Sequence, residues 1–131
     1  MNQLSESSLN KLQGVHPDLV KVVVRAIQIS PVDFTVTCGV RTAAEQKKLV
    51  AKGASTTMNS RHIPGKDGLS KAVDLAALQG GAITWDWAYY HKIAAAMKQA
   101  AKELGVSIEW GGDWKTFKDG PHFQLPHAKY P

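Results

Sequence analysis

Cysteine is nearly missing from this chain: Cys38 stands alone among 131 residues. That excludes an internal disulfide and any metal site built on several thiolates. Its setting, Phe34-Thr35-Val36-Thr37-Cys38, alternates as a strand, so a small buried apolar side chain is expected rather than a catalytic thiol. No apolar stretch approaches the length of a membrane span, and membrane insertion is not expected. Residues 1–10 lack a basic segment followed by an apolar run, so no secretory signal is read and accumulation in the cytoplasm is expected. Basic residues interleaved with aromatics are also absent. The net charge of +5 is spread over single lysines and pairs (Lys47-Lys48, Lys98, Lys102), which argues against nucleic acid and leaves other anionic partners, such as a cell wall. Repeats, low-complexity segments and linkers are not found. With 44% hydrophobic and 21% charged residues, the chain is expected to be one globular domain spanning 1–131.

Ser5 to Leu12 suits a short helix closed by Gly14. His16-Pro17-Asp18 opens a second helix, His16 serving as its starting residue, with Leu19, Val22, Val23, Ala26 and Ile27 on its buried face. A strand over Phe34–Cys38 leads through Gly39-Val40-Arg41 to a helix capped by Thr42 with Glu45 in the capping-box position, ending near Lys52-Gly53. Residues 54–71 read as loop. Lys71 to Leu78 forms an apolar strand with Asp74 in its middle, broken by Gly80-Gly81. The longest helix runs from Trp85 to Leu104 and stops at Gly105; Trp87, Tyr90, Ile93, Ala94, Met97, Ala101 and Leu104 share its core stripe, and His91 lies on its surface. Strands over 106–110 and 122–125 follow, and the tail after Pro126, with His127, reads as peripheral. The fold class is α+β: several helices against a small, mostly antiparallel sheet.

Three polar residues stand in unexpected places. Asp74 interrupts an apolar strand, where a carboxylate is costly unless paired or metal-bound. His62 lies in the 54–71 loop. His122 follows Asp119 by three residues across a Gly-Pro turn. Two imidazoles and one carboxylate are a typical three-ligand zinc set with a fourth position open, and Asp119 is the carboxylate placed to handle a proton. The helical His-Glu-x-x-His signature is absent. On spacing alone, a metal hydrolase and scattered structural polar residues both stay open.

The combination Thr37-x-Gly39-x-Arg41, Ser60-x-His62 with Ala72-x-Asp74, and Trp110-Gly111-Gly112-Asp113-Trp114 with Asp119-x-x-His122-Phe123 resembles the M15 family of zinc peptidases. This family acts on bacterial peptidoglycan peptides and shares the hedgehog/D-alanyl-D-alanine-peptidase fold. The chain is most similar to the phage endolysins that cut the L-alanyl-D-glutamate bond, from about Val15 to Leu125. The resemblance implies Zn²⁺ held by His62, Asp74 and His122, with Asp119 as general acid/base and Arg41 stabilising the oxyanion. It also implies a peptide groove lined by Ser60, Trp110, Gly112 and Trp114. The implied substrate is the peptidoglycan stem peptide, met by a monomer that a separate membrane-permeabilising protein releases from the host cytoplasm. Eleven residues separate His62 from Asp74, against the family's shorter His-x-x-Gly-x-Ala-x-Asp. Lys66-Asp67-Gly68-Leu69-Ser70 reads as an insertion that widens a loop at the rim of the site, and Asp67 stands as the alternative ligand. A D-alanyl-D-alanine carboxypeptidase or dipeptidase, or a silent module that only binds wall peptides, would share these residues.

Overall fold

The computed structural model describes residues 2–55, 60–116 and 118–131. Ser5 caps α1 (Glu6–Lys11), and His16 caps α2 (Pro17–Ile29) by accepting the Asp18 N–H at Nδ1, 3.1 Å away. β1 (Asp33–Cys38) leads into α3 (Ala43–Ala51), where Thr42 and Glu45 form the expected capping box. β2 (Ala72–Gln79) and β3 (Ala82–Thr84) precede α4 (Trp87–Leu104), which ends on Gly105 at φ 69°, a conformation that suits glycine. β4 (Glu109–Trp110), a 3₁₀ turn (Gly111–Asp113) and β5 (His122–Gln124) complete the order. Among the described residues, no helix is long and apolar enough to cross a membrane.

The sheet is antiparallel, in the order β1-β2-β5-β4, with β3 also pairing β2. The expected α+β class is found. β2 is flanked along both edges, by β1 on one side and by β5 and then β3 on the other, which explains its nearly continuous apolar sequence. One face of the sheet carries Phe34, Val36, Val73, Leu75, Trp110 and Phe123 into a core shared with α2 and α4. Alternation sends the intervening residues to the opposite face.

Several sequence expectations are corrected. Gly80-Gly81 does not simply end β2: with φ of 58° and 82° it makes a two-residue hairpin, pairing Gln79 with Ala82, as positive φ at both turn positions allows. The strand expected over 106–110 shortens to its last two residues, and α4 begins at Trp87, after the Asp86 cap. Trp87 and Leu104 leave the core stripe and are exposed, while Ala96 and Ala100 join it. His91 is exposed, as expected.

Cys38 is the most instructive departure. Strict alternation from Phe34 and Val36 would put it in the core. Instead the register shifts between Val36, opposite Leu75, and Cys38, opposite Asp74. That bulge, at Thr37, turns Cys38 to the face that carries Asp74.

Candidate active site

The register aligns the site. Cys38 pairs with Asp74 and Asp74 with His122, so three strands present these residues in one row; cross-strand neighbours on one face come within contact distance. Gln124 and Glu109 extend the same face on β5 and β4. His62 arrives from the loop before β2: its carbonyl accepts the Arg41 N–H (2.9 Å), and its own N–H donates to Ser60 Oγ (3.2 Å).

Asp74 is the centre. Its Oδ1 lies 3.3 Å from His62 Nε2 and 3.2 Å from His122 Nδ1, and its Oδ2 lies 3.5 Å from Arg41 Nη2. The orientation of both rings is set from outside. His62 Nδ1 is 2.9 Å from the Gly39 carbonyl, which only accepts, so this nitrogen carries the proton. Gln124 gives its amide N–H to Glu109 (2.9 Å), which leaves its carbonyl oxygen facing His122 Nε2 at 2.8 Å. Nε2 of His122 is therefore the protonated nitrogen. In its neutral form each ring then aims a lone pair at the Asp74 carboxylate. Such outer contacts fix the tautomers of metal-binding histidines.

Three converging electron-pair donors require a cation among them, either ring protons or a metal. His62 Nε2 is buried and makes no hydrogen bond. Nitrogen and oxygen ligands on a tetrahedral ion at ordinary zinc distances stand about 3.3 Å apart, and both histidine–Asp74 separations match that edge. Two overlapping sets have donor atoms within 4.8 Å of one another: Cys38, His62 and Asp74, and Asp74, Asp119 and His122. Asp74 belongs to both, His62 and His122 fall in different sets, and each set offers three donors suited to a divalent ion.

Without a metal, a ring proton takes the place of that cation. Burial opposes charge on Asp74, but the adjacent His122 and His62 rings outweigh it and hold the carboxyl well below its ordinary range. Burial likewise opposes a proton on His62, yet Asp74 and Cys38 prevail and raise its pKa above the usual histidine value. Asp119 moves the other way from Asp74. Although Asp119 reaches solvent, desolvation of its carboxyl and then the Asp74 charge raise it, against the pull of His122, His62 and Arg41, the direction expected of a carboxylate that exchanges protons.

Arg41 is held by α3: Nη1 donates to Gln46 Oε1 at 2.8 Å, and Nη2 approaches Cys38 Sγ at 3.4 Å. A cleft of about 750 Å³ brings together Arg41, Ser60, His62, Asp74, Asp119 and His122, with Trp114 along its wall. Trp110 and Gly112 do not line it. Trp110 is buried, donates Nε1–H to the Gly120 carbonyl (2.7 Å) and stacks on Phe123, because its register partner Phe123 lies on the core face. Gly112 supports that ring closely: a Cβ there would run into the Trp110 indole. Asp67 is outside the cleft and pairs with Lys71 Nζ at 2.6 Å.

Sequence reading overlooks Gln46, Gln124, Lys118 and His127. The glutamines work through hydrogen bonds that no motif announces. His127 lies on the cleft because the tail folds back: Arg61 Nη2 donates to the carbonyls of Leu125 and Tyr130 at 2.9 and 2.7 Å, and Tyr130 Oη–H donates to Asp18 (2.7 Å). The tail is therefore not peripheral.

A polar row on a small antiparallel sheet, two histidines oriented by outer contacts and a carboxylate with a raised pKa form a candidate metal site of hydrolase type. Comparison with known proteins is specific. The family profile "Phage L-alanyl-D-glutamate peptidase" matches residues 1–125. The chain is 36% identical over 132 residues to the L-alanyl-D-glutamate peptidase of Escherichia phage T5, covering 98% of this chain and 92% of that protein. It is 33% identical over 104 residues to the peptidoglycan L-alanyl-D-glutamate endopeptidase CwlK of Bacillus subtilis, covering 72% of this chain and 61% of that one. Among solved structures, the Serratia marcescens L-Ala D-Glu endopeptidase ChiX superposes with a TM-score of 0.88 at 47% identity, over 96% of this chain and 91% of that one. The chain belongs to the phage L-alanyl-D-glutamate peptidase family.

Proposed function

We propose that this chain is a zinc-dependent, endolysin-type peptidase that hydrolyses the L-alanyl-D-glutamate amide bond of peptidoglycan stem peptides. The observation that carries the reading is Asp74, flanked by two imidazoles whose lone pairs are aimed at its carboxylate from 3.2 and 3.3 Å. It is supported by membership of a family described by that bond, and by relatives named for it. His62, Asp74 and His122 would hold Zn²⁺. When bound, that ion supplies Lewis acidity and lowers the pKa of water. Asp119, with its raised pKa, takes the proton of the attacking water and delivers it to the leaving amine. Arg41, fixed by Gln46, offers its guanidinium to the carbonyl oxygen as charge develops there. Ser60 and Trp114 flank the peptide. The protein is read as a monomer of one domain, 1–131, that reaches the wall from the host cytoplasm after a separate protein permeabilises the membrane.

Digestion of purified peptidoglycan followed by mass spectrometry tests this. New L-alanine C-termini and D-glutamate N-termini are expected, lost on chelation and restored by Zn²⁺. Release of terminal D-alanine instead would assign the other bond and reject the proposal.

A further inference from the structure

Beside the cleft lies a second cavity of about 730 Å³, and the two share Ser60, Arg61 and His127. The Lys66–Ser70 insertion helps build it. Gly65 N–H donates to the Leu69 carbonyl (3.1 Å), Gly68 N–H to the Gly65 carbonyl (2.9 Å), and Leu69 N–H to the Asp67 carboxylate (3.0 Å). A tight turn results, not a wide rim. Its Asp67 is matched by buried Lys71, so that pair is neutral in sum. Arg61, Lys66 and Lys129 also line the cavity. None of these three has a carboxylate within ion-pair distance among the described residues. Arg61 spends Nη2 on two neutral carbonyls, and its buried Nε has no partner. The chamber thus holds an excess of positive charge next to the bond-breaking residues.

We propose that this second cavity is the subsite for the carboxylate-bearing residues on the leaving side of the scissile bond, with Lys66 and Lys129 as its cationic wall. The proposal rests on the L-alanyl-D-glutamate reading and names where its acidic half goes. The chemistry follows from the bond. The residue after the cut is D-glutamate, which has two carboxyl groups, and only one of them can carry the peptide onward. At least one anion therefore lies a single residue from the scissile amide, within ~3.6 Å per residue of extended chain. The acyl side begins with alanine, which has no such charge. Positive potential added by the second cavity therefore favours one direction for the peptide. Among the described residues, the lysine that lines the cleft itself is Lys118, which has no anionic partner within ion-pair distance and does not line the second cavity.

The test is binding rather than turnover, so that it stays separate from the identity of the bond cut. A D-glutamyl peptide with a free α-carboxylate, and the same peptide as its α-amide, would be titrated into ¹⁵N-labelled protein. The acid should bind roughly tenfold more tightly than the amide, with shifts concentrated at Gly65–Lys71 and the preference weakening in high salt. Lys66→Glu, at an exposed position, should abolish the preference, and Lys66→Arg should restore it. Lys129→Glu is the second arm, with thermal midpoints as the folding control. If acid and amide bind alike, or if Lys118→Glu alone removes the preference while both cavity variants keep it, the proposal is overturned. Wall digestion at a different bond, with the acid preference intact, would reject the assigned bond and leave the anion subsite standing.

Discussion

The two faces of the sheet are built from the same strands and have opposite chemistry. On one, Val73, Leu75 and Ala77 of β2 meet Phe123 and Trp110 in a dry core. On the other, Asp74 meets His122, with Gln124 and Glu109 beside them. Each core residue is a direct sequence neighbour of a residue on the polar face. A one-residue slip in register would drive Asp74 and His122 into the core and push Leu75 and Phe123 out. The packing that stabilises the fold therefore also fixes the site geometry. One strand departs from simple alternation: β1 bulges at Thr37, and so delivers Cys38 to the polar face.

The comparison predicts that polar-face changes remove chemistry and leave the fold, while core-face changes do the reverse. The largest effect is expected for Asp74→Ala. Activity should fall to background and bound zinc should be lost, because the one anionic donor between the two rings is removed. Asp67→Ala should keep both, since Asp67 pairs only within the neighbouring cavity. Metal analysis and wall digestion on the two variants decide it. Equal loss from both would mean the turn at Gly65–Leu69 is also part of the metal site.

Next is Asp119→Asn, expected to lower turnover ~10²–10⁴-fold while retaining zinc. The sign of the pH effect follows from the raised pKa. A base must be ionised, so activity is full above the folded-state pKa and declines as pH falls through it. That acid limb should be missing from the residual activity of the variant. Stability runs oppositely. A carboxyl with a raised folded pKa disfavours folding once ionised, so in metal-free protein the cost sets in as pH rises from the unfolded value through the folded one. The variant should thus melt no lower than wild type above that window. A retained acid limb would move the role to another group.

Leu75→Ala probes the other face. Leu75 is fully buried, and truncation should cost about 2–5 kcal/mol in denaturant unfolding. At low temperature the protein that remains folded should still bind zinc. Loss of zinc without loss of stability would break the division between faces.

Why some of this is legible in the sequence, and some is not, follows from the range of each interaction. The Thr42–Glu45 box, the His16 cap and the Gly105 stop depend on residues a few positions apart, and all three are present. Asp74 is visible because a carboxylate in an apolar strand is anomalous by itself. The family motifs add the histidines, which the fold brings to either side of it. Trp110 is misplaced by a local reading because its face depends on pairing with Phe123, a partner the neighbouring residues do not specify. The roles of Gln46 and Gln124 rest on hydrogen bonds to other elements or strands, and periodicity has no access to these. His127 reaches the cleft only through the hold of Arg61 on the tail.

The smallest effect is expected where the two faces are hardest to tell apart, at Cys38. Its thiol lies 3.7 Å from His62 Nδ1 and 3.4 Å from Arg41 Nη2, so it touches two functional side chains without replacing either one's stronger contact. His62 keeps the Gly39 carbonyl at 2.9 Å, and Arg41 keeps Gln46 at 2.8 Å. Cys38→Ser preserves size and offers a harder acceptor, so activity should change by no more than a few-fold, and zinc should stay. Cys38→Leu is the sharper probe. In a core position, an added apolar group would meet overpacking and cost about 1–3 kcal/mol of stability. On the polar face it should instead crowd Arg41 and His62 and lower turnover, with little change in unfolding. Denaturant melts and kinetics on the same preparation separate the two. A large stability loss with normal turnover would place Cys38 back in the core and remove the bulge as the reason for its position.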